Sequence, residues 1–600
     1  MNEELKTAED QLARLVQWFD DAEEASKAAR TASEKARDYY DGKQLTATEI
    51  QALEKRGQPV TIYNRIRPKI DFLLGLEKQS RSDPKAFPRN PADQEGSEAA
   101  TDALRFVTQN SNWDEVRSLA WENKQIEGYG GCEVTVSFKG KEPEIQTKHI
   151  PWDRTFYDPH SSKRDFSDAR YMGYVIWKDY DEAIDRWKDG QAAFDANLQS
   201  STTETLDDKP NTTAWADSTR RRVRVVQMHY RKKGQWYWCT FTKGAKLEGG
   251  ISPFLDGDGE PENPMVLDSA YVDRQNNRSG AVADMIAPQD EINKRRSKAL
   301  HLISMRQTLA DEGAVDDVAK MKRELAKPDG HVIKNPNTEF QILDSTDMTM
   351  AQFNLLQEAK NEIDNQGPNE ALTGQIGSES GRAIQAKQQG GMIGGNNLAD
   401  GHRQWSLRVY KQIWNRVRQY WNEEKWVRIT DNENNVRFVG MNTPITAGDQ
   451  YVEQLQQQGA SEEEVQAIMQ QMGDDPRMQE VVGTKNNTTE LEVDLIMEDA
   501  PDTITIMQEQ FDSLVRLYEA GMPVPPDVLI EASALPSAKK KAILERMQGD
   551  PAQAEAGQKN SQLDLAQKEA DVENTSMDTN LKEASAMEKV AKANEVSTLN

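Results

Sequence analysis

Apolar residues recur at helical spacing from the first turns of the chain: Leu12, Leu15, Val16, Trp18 and Phe19 predict an amphipathic helix, continued by an Ala/Lys/Glu/Arg-rich stretch to Tyr39 and Tyr40. Gly57 and Pro59 break this pattern. A second helix is predicted after Pro68, with Ile70, Phe72, Leu73, Leu74 and Leu76 on its apolar face, and a third over Asn112 to Lys124, ended by Gly128, Gly130 and Gly131. The period then drops to two in Cys132–Phe138 and Tyr171–Trp177. A helix from Tyr180 to Asp189 and a polar loop to about residue 220 lead to the clearest strand pair, Arg222 to Phe241, turning at Lys233-Gly234.

The second half returns to helical spacing. Met285, Ile292, Ala299, Leu302 and Leu309 stand about seven apart on a helix beginning near Gly280, with Lys294, Arg295, Arg296 and Lys298 between them. A short mixed insert comes next, from Arg306 to Asp344: a charged helix (Val315 to Ala326), a turn at Pro328-Asp-Gly330, and strand-like Val332-Ile333 and Phe340–Leu343. A helix over Met350 to Asn365 leads out of it. Residues 367–397 are rich in Gly, Ser and Gln and read as a flexible segment. An aromatic amphipathic helix is predicted from Leu398 to Trp421, and its Trp405, Trp414 and Tyr420 stripe reads as core. Trp426 to Val439 reads as a hairpin around residues 431–435. The chain from there to about Gly549 reads as helical with one strand, Leu491 to Met497; beyond Pro551 an exposed helix or a disordered tail is expected. The fold class is α+β, mostly helical.

Six hundred residues exceed one ordinary hydrophobic core, so several regions are expected. A formal charge of −26 and a mean hydropathy of −0.83 describe an acidic, water-facing chain that as a whole repels polyphosphate. No apolar run approaches the ~20 residues of a bilayer span, and no membrane role is expected. Two isolated cysteines, Cys132 and Cys239, exclude a disulfide framework and fit assembly in a reducing cytoplasm. The glycine clusters lack the lysine of a phosphate-binding loop, so nucleotide hydrolysis is not expected. His149, Asp153, Asp158 and His160 lack metal-ligand spacing and read as a structural loop. Neither cofactor, metal nor catalytic residue is expected.

Several ordered blocks carry a resemblance. Arg37-Asp-Tyr-Tyr-Asp-Gly-Lys-Gln44, Leu53-Glu-Lys-Arg-Gly-Gln-Pro59 and Tyr63-Asn-Arg-Ile-Arg-Pro-Lys-Ile-Asp-Phe-Leu-Leu-Gly-Leu-Glu77 come first. Pro151-Trp-Asp153, Tyr157-Asp-Pro159, Phe166–Tyr171, Pro288-Gln-Asp-Glu-Ile-Asn293 with Ser297, and Glu498-Asp-Ala-Pro-Asp-Thr503 come after them. Together, over residues 30 to 545, they resemble the portal proteins of short-tailed double-stranded-DNA bacteriophages, in the larger type with extra C-terminal regions.

The resemblance implies a homo-oligomeric ring, typically twelve-fold, at one capsid vertex, serving as the channel for DNA packaging and ejection. It implies a wing over 1–278 and 398–430, stem helices at 279–306 and 346–366, a clip at 307–345 between them, a tunnel loop within 367–397, a crown at 431–545 and a tail at 546–600 too short for a full barrel. Implied partners are the terminase large subunit, the head–tail adaptor, major capsid and scaffolding proteins, and the DNA itself. On this reading Gly374, Gly377, Ser380, Gly381, Arg382 and Lys387 face DNA, with Arg382 and Lys387 placed for transient phosphate contact. Asp316, Asp317, Lys320, Lys322, Arg323, Glu324 and Lys327 form the clip's docking surface, although the pattern alone reads as a solvated helix. Lys294, Arg295, Arg296 and Lys298 pair with a neighbouring subunit, face solvent or line the channel. Another head–tail connector component, or a cytoplasmic multi-domain enzyme, is the alternative class.

Overall fold

The computed structural model describes residues 8–365 with breaks at 80, 82, 91–92, 141, 202–213, 305–306, 328 and 344–345, then 381–430, 436–457 and 477–497, and short stretches at 511, 514–518 and 525–532. The chain divides into two units, 1–429 with 437–500, and 430–436 with 501–600. In the second, the helix Pro526–Ala532 is described. The expected tail at 546–600 lies outside the described residues.

The first unit starts with helices α1 (Ala8–Asp41), α2 (Ala47–Lys55) and α3 (Ile66–Gln79). Thr46 starts α2 with a capping box: its hydroxyl accepts from the Glu49 amide while the Glu49 carboxylate accepts from the Thr46 amide. Next come α4 (Gln94–Asn110) and α5 (Trp113–Ile126). The hydrophobic pattern does not announce α4, because its buried face is built from small residues, Ala99, Ala100 and Ala103, beside Leu104 and Val107.

Two antiparallel sheets come next. One has three strands in the order Met265–Ser269, Tyr129–Lys139, Glu142–His149. The other runs Thr155–Tyr157, Tyr171–Asp179, Arg222–Lys232, Gln235–Thr242, Ala245–Ile251, with Ala216–Asp217 beside Arg222–Lys232. The turn between Lys232 and Gln235 forms where expected, with Lys233 and Gly234 both at positive φ (52° and 88°), as a two-residue hairpin of matching twist requires. Helices α6 (Tyr180–Arg186) and α7 (Gln191–Ser200) flank this sheet; the expected helix to Asp189 ends sooner, and α7 falls where a loop was expected. Gly130 and Gly131 do not stop a helix. They open the strand Tyr129–Lys139 where a Cβ on Gly130 would lie 2.3 Å from the Ala120 carbonyl oxygen, so the strand can pass close to α5 only without side chains there.

Helix α8 (Ala281–Ser304), α9 (Val318–Leu325) and α10 (Thr346–Asn365) precede α11 (Gly381–Tyr420). The glycine-rich stretch expected to be flexible is helical from Gly381 onward. Arg382–Gln389 is a run of good helix formers, and each interior glycine beyond it costs only about 1 kcal/mol relative to alanine, a cost that forty residues of continuous helix carry. Strands Lys425–Thr430 and Val436–Met441 share a two-stranded sheet where the hairpin was expected. Helix α12 (Ala447–Gln457) lies between strands Thr443–Thr446 and Val481–Lys485, which pair with each other. The strand expected over Leu491 to Met497 forms over Val493–Met497, pairs antiparallel with Pro84–Pro88 and adds Leu495 and Met497 to the main core.

That core packs α4, α5, α11 and the three-stranded sheet around Trp113, Trp405, Tyr410 and Trp414. Trp405 donates to the Val266 carbonyl (2.9 Å) and Trp113 to the Tyr410 hydroxyl (2.8 Å), so the indole N–H groups are satisfied as they are buried. A second cluster lays α1 on the six-stranded sheet. Phe19 meets Phe156 and Phe241 edge-on, Trp18 stacks on Tyr171 at 5.1 Å, and burying Phe19 alone contributes about 1.5–3 kcal/mol. Cys132 and Cys239 are buried thiols. His149 bonds Asn123 (2.8 Å) and Asp158 pairs with Arg170 (2.6 Å).

Glu127, at the end of α5, is fully buried against α1, where the Arg37 guanidinium and the Asn123 amide donate to its carboxylate. Burial pushes its pKa from 4.5 up to about 7, with Arg37 opposing. The raised folded-state value means that the stability it contributes is complete below pH 4.5 and lost as pH rises through 7. Glu127→Gln is therefore expected to reduce the loss of stability between pH 4.5 and 7 relative to the parent, measured by urea unfolding across that range. An unchanged pH profile would contradict the assignment.

Candidate functional site

Helices α8 and α10 pack against each other through Ile292, Leu356, Ala359 and Ile363. The insert between them begins and ends in an antiparallel pair, Gln307–Ala310 with Phe340–Leu343 (Gln307 opposite Leu343), which brings the C-terminus of α8 beside the N-terminus of α10. The two helices thus run antiparallel, and the helix, insert, returning helix order expected from the sequence takes shape close to its predicted bounds. Leu309 does not continue the heptads of α8; it sits on the first insert strand, and Val332-Ile333 is not a strand.

What anchors α8 is a polar ladder. Gln289, Asn293, Ser297 and His301 stand four apart and line one face, against which the extended segment 57–65 is laid. Asn293 Oδ1 accepts from the Tyr63 amide (3.0 Å) and Gln289 Oε1 from the Arg65 amide (2.9 Å). Gln289 Nε2 donates to the Tyr63 carbonyl (2.9 Å), Ser297 Oγ to the Pro59 carbonyl (2.8 Å), and Asn293 Nδ2 to Gln44 Oε1 (2.7 Å). His301 Nδ1 lies 3.2 Å from the Gly57 carbonyl. The N-terminal segment thereby satisfies its backbone on the helix rather than in a sheet.

The same segment reaches α10. Arg65 Nη2 donates to both carboxylate oxygens of Asp364 (2.7 and 2.8 Å), and Lys69 donates to the Asp364 carbonyl (2.7 Å). The Tyr63 ring has the Arg296 guanidinium 4.8 Å and the Lys360 ammonium 5.9 Å from its centroid. Tyr39 donates to Asp290, and burial together with that carboxylate raises the phenol's pKa. None of these pairings was singled out from the sequence. Their only signal was that the blocks around Tyr63 and Pro288 both stood out, and here they bond to each other.

The expected stem charges divide. Arg295 pairs with Glu291 (2.7 Å) and reaches Gln352 across the helix pair (3.3 Å), and Arg296 stacks on Tyr63. Lys294 is exposed and Lys298 half-buried. In the insert, Asp317 caps α9 by accepting from the Lys320 amide (2.9 Å), Asp316 accepts from Asn335 (2.8 Å), and Glu324 pairs with Lys327 (2.7 Å). The two aspartates hold the insert's own fold, whereas Lys320, Lys322 and Arg323 present charge to solvent. Gly374, Gly377 and Ser380 lie outside the described residues. Gly381, Arg382 and Lys387 fall on the first turns of α11 by backbone, outside the residues whose side chains are described.

Large apolar side chains remain in water over the same region. Ile303 on α8, Leu309 and Ile342 on the insert strands, and Met350 and Phe353 on α10 are all exposed. Exposed apolar side chains of this size are available for association with another chain. Among the described residues no helix is long and apolar enough to cross a membrane, and no group of three or more His, Cys, Asp or Glu side chains is placed to hold a metal.

If the ladder orders the N-terminal segment, Asn293→Ala should strand the Tyr63 amide and Gln44 Oε1, costing about 1–3 kcal/mol. The accompanying sign is faster amide exchange over residues 57–65; exchange unchanged there would remove the ladder's assigned role.

Comparison with known proteins bears on what such an arrangement serves. The chain matches the phage P22-like portal protein family over residues 16–595, and it belongs to that family. It is also 21% identical over 418 residues to the portal protein of Helicobacter pylori bacteriophage KHP30. That match covers 68% of this chain and 66% of the relative, just under two thirds of its length.

Proposed function

We propose that the chain is the subunit of a closed homo-oligomeric ring, twelve-fold as the resemblance implies, that sits at one capsid vertex of the virion and conducts double-stranded DNA during packaging and ejection. The observation that carries this reading is the antiparallel pair α8 and α10, interrupted by a small folded insert and left with apolar side chains exposed, in a chain of the portal family. In this reading α8 and α10 are the stem and 307–345 is the clip, which docks the terminase large subunit during packaging and the head–tail adaptor afterwards. Residues 1–278 and 398–430 form the wing, 431–545 the crown, and 367–397 carries the tunnel loop; major capsid and scaffolding proteins surround the ring.

The role is structural rather than enzymatic. Charge supports it: each phosphate neutralised by lysine or arginine adds affinity, so a subunit of net charge −26 holds DNA weakly enough for it to slide. Negative-stain microscopy of the full-length protein, with native mass spectrometry to count subunits, tests the reading. Closed rings with a central channel are expected, and a monomer or dimer that never forms rings at high concentration would overturn it.

A further inference from the structure

Among the described elements, α10 lies along α8 alone. The buried part of the seam between them is short. Ile292 stands on one side and Leu356, Ala359 and Ile363 on the other, so α10 contributes buried apolar residues only from its second half. In its first half Met350 and Phe353 stand in water, and one bond from Arg295 to Gln352 (3.3 Å) crosses the pair. A helix held on a short seam keeps a fixed tilt only if something else grips it, and the second grip is at Asp364.

There Arg65 Nη2 donates to both carboxylate oxygens (2.7 and 2.8 Å), and Lys69 Nζ donates to the main-chain carbonyl (2.7 Å). That carbonyl lies in the last turn of α10, where carbonyls lack intrahelical donors and the helix carries partial negative charge. The ammonium therefore completes a bond and meets an opposite charge at once. The two donors are fixed from behind. Asn64 Oδ1 caps α3 by accepting from the Ile66 and Arg67 amides, while Asn64 Nδ2 donates to the carbonyls of Tyr39 and Tyr40. Ile66 and Ile70 are fully buried among residues of α1, α5 and α8. One side of the clamp is thus rooted in a core, and the other is the end of a helix.

The clamp differs in kind from the seam. Its side chains are partly exposed, Arg65 at 32%, Asp364 at 20% and Lys69 at 11%, and its bonds involve charges, so dissolved ions weaken it. The apolar seam is not screened in this way.

We propose that Arg65, Lys69 and Asp364 form a releasable clamp. Closed, it fixes the end of α10 to α3; open, the last turns of α10 part from α3 while the apolar seam keeps the helix on α8. The consequence rests on the ring reading: α10 ends at Asn365 and the region assigned to the tunnel begins at 367, so the N-terminal block sets where that region starts.

Hydrogen exchange read by mass spectrometry on the full-length protein tests the clamp. The variant Arg65→Gln/Lys69→Gln is expected to exchange about tenfold faster or more over residues 359–365, the sign of a local opening. Exchange over residues 285–299 and the urea unfolding midpoint should stay close to the parent's. Asp364→Asn, which keeps the carbonyl that Lys69 bonds, should give a smaller acceleration. In about 1 M salt, where the screening length falls to about 3 Å, the parent should move toward the double variant and the double variant should not respond. Unchanged exchange over 359–365 would overturn the proposal. So would an equal acceleration across α3 and α8, which would make these bonds part of the general stability of the fold. Native mass spectrometry of the same samples decides separately whether rings form, so failure of the clamp and failure of the ring reading are told apart.

Discussion

Lys124→Met is expected to lower folding stability by about 3–5 kcal/mol, the range for breaking a buried ion pair by removing one partner. The Lys124 side chain, on α5, is 1% exposed and donates to the carboxylate of Asp268 on the strand Met265–Ser269, itself 7% exposed. Burial lowers the lysine's pKa and raises the aspartate's, and each partner opposes the other's shift. Arg408 of α11 also reaches Asp268, at 3.4 Å, but makes its shorter bonds to the carbonyls of Asp165 (3.0 Å) and Leu267 (3.2 Å). Removal of the ammonium therefore leaves a carboxylate in the core with Arg408 at 3.4 Å and the charge of Arg164 to offset it, at the point where α5, the three-stranded sheet and α11 meet. The double variant Lys124→Met/Asp268→Leu, which removes both charges, should recover most of the loss. Urea unfolding with an unchanged m-value reads the difference. A single variant within about 0.5 kcal/mol of the parent would mean that the pair carries no such weight.

Which parts of this fold the sequence announces depends on where their partners are. The heptad residues Met285, Ile292 and Ala299 bury as expected, because one apolar stripe on one helix needs no knowledge of what covers it. The Trp405 and Trp414 stripe and the hairpin at Lys233-Gly234 are local in the same sense. The ladder Gln289, Asn293, Ser297, His301 is equally regular, yet polar residues four apart look the same whether they face water or a distant, much earlier segment of the chain. Arg295 and Arg296 read as a solvated or inter-subunit run for the same reason: Gln352 and Tyr63 are brought to them only by the tertiary fold. Helix α4 escaped because alanine marks an apolar face weakly. The strand Pro84–Pro88 escaped because its partner, Val493–Met497, lies far along the chain. The helical part of the glycine-rich stretch reverses a local preference, continuity with the well-packed Leu398–Tyr420 outweighing the entropy of its glycines.

Ile303→Glu combined with Phe353→Glu is expected to abolish closed rings while leaving the unfolding midpoint of the single chain almost unchanged. Both side chains point into water in the isolated chain, at 59% and 44% exposure, so neither substitution opens a cavity, and surface changes of this kind stay within about 0.5 kcal/mol. Leu309 at 63% and Ile342 at 49% expose opposite faces of an insert sheet of only two strands, an element marginal in water without something packed against it. In a closed ring every interface is the same head-to-tail contact, so two new charges per chain enter every interface at once, and each buried carboxylate without a partner costs several kcal/mol. A control separates assembly from docking. Lys320→Gln/Lys322→Gln/Arg323→Gln, on the solvent side of α9, should leave rings intact if, as proposed, those side chains serve a partner of the insert rather than the neighbouring subunit. Native mass spectrometry and negative-stain microscopy read both variants. Rings that survive the double glutamate variant would show that the exposed face of α8 and α10 is not where the subunits meet, and the stem assignment would fall with it.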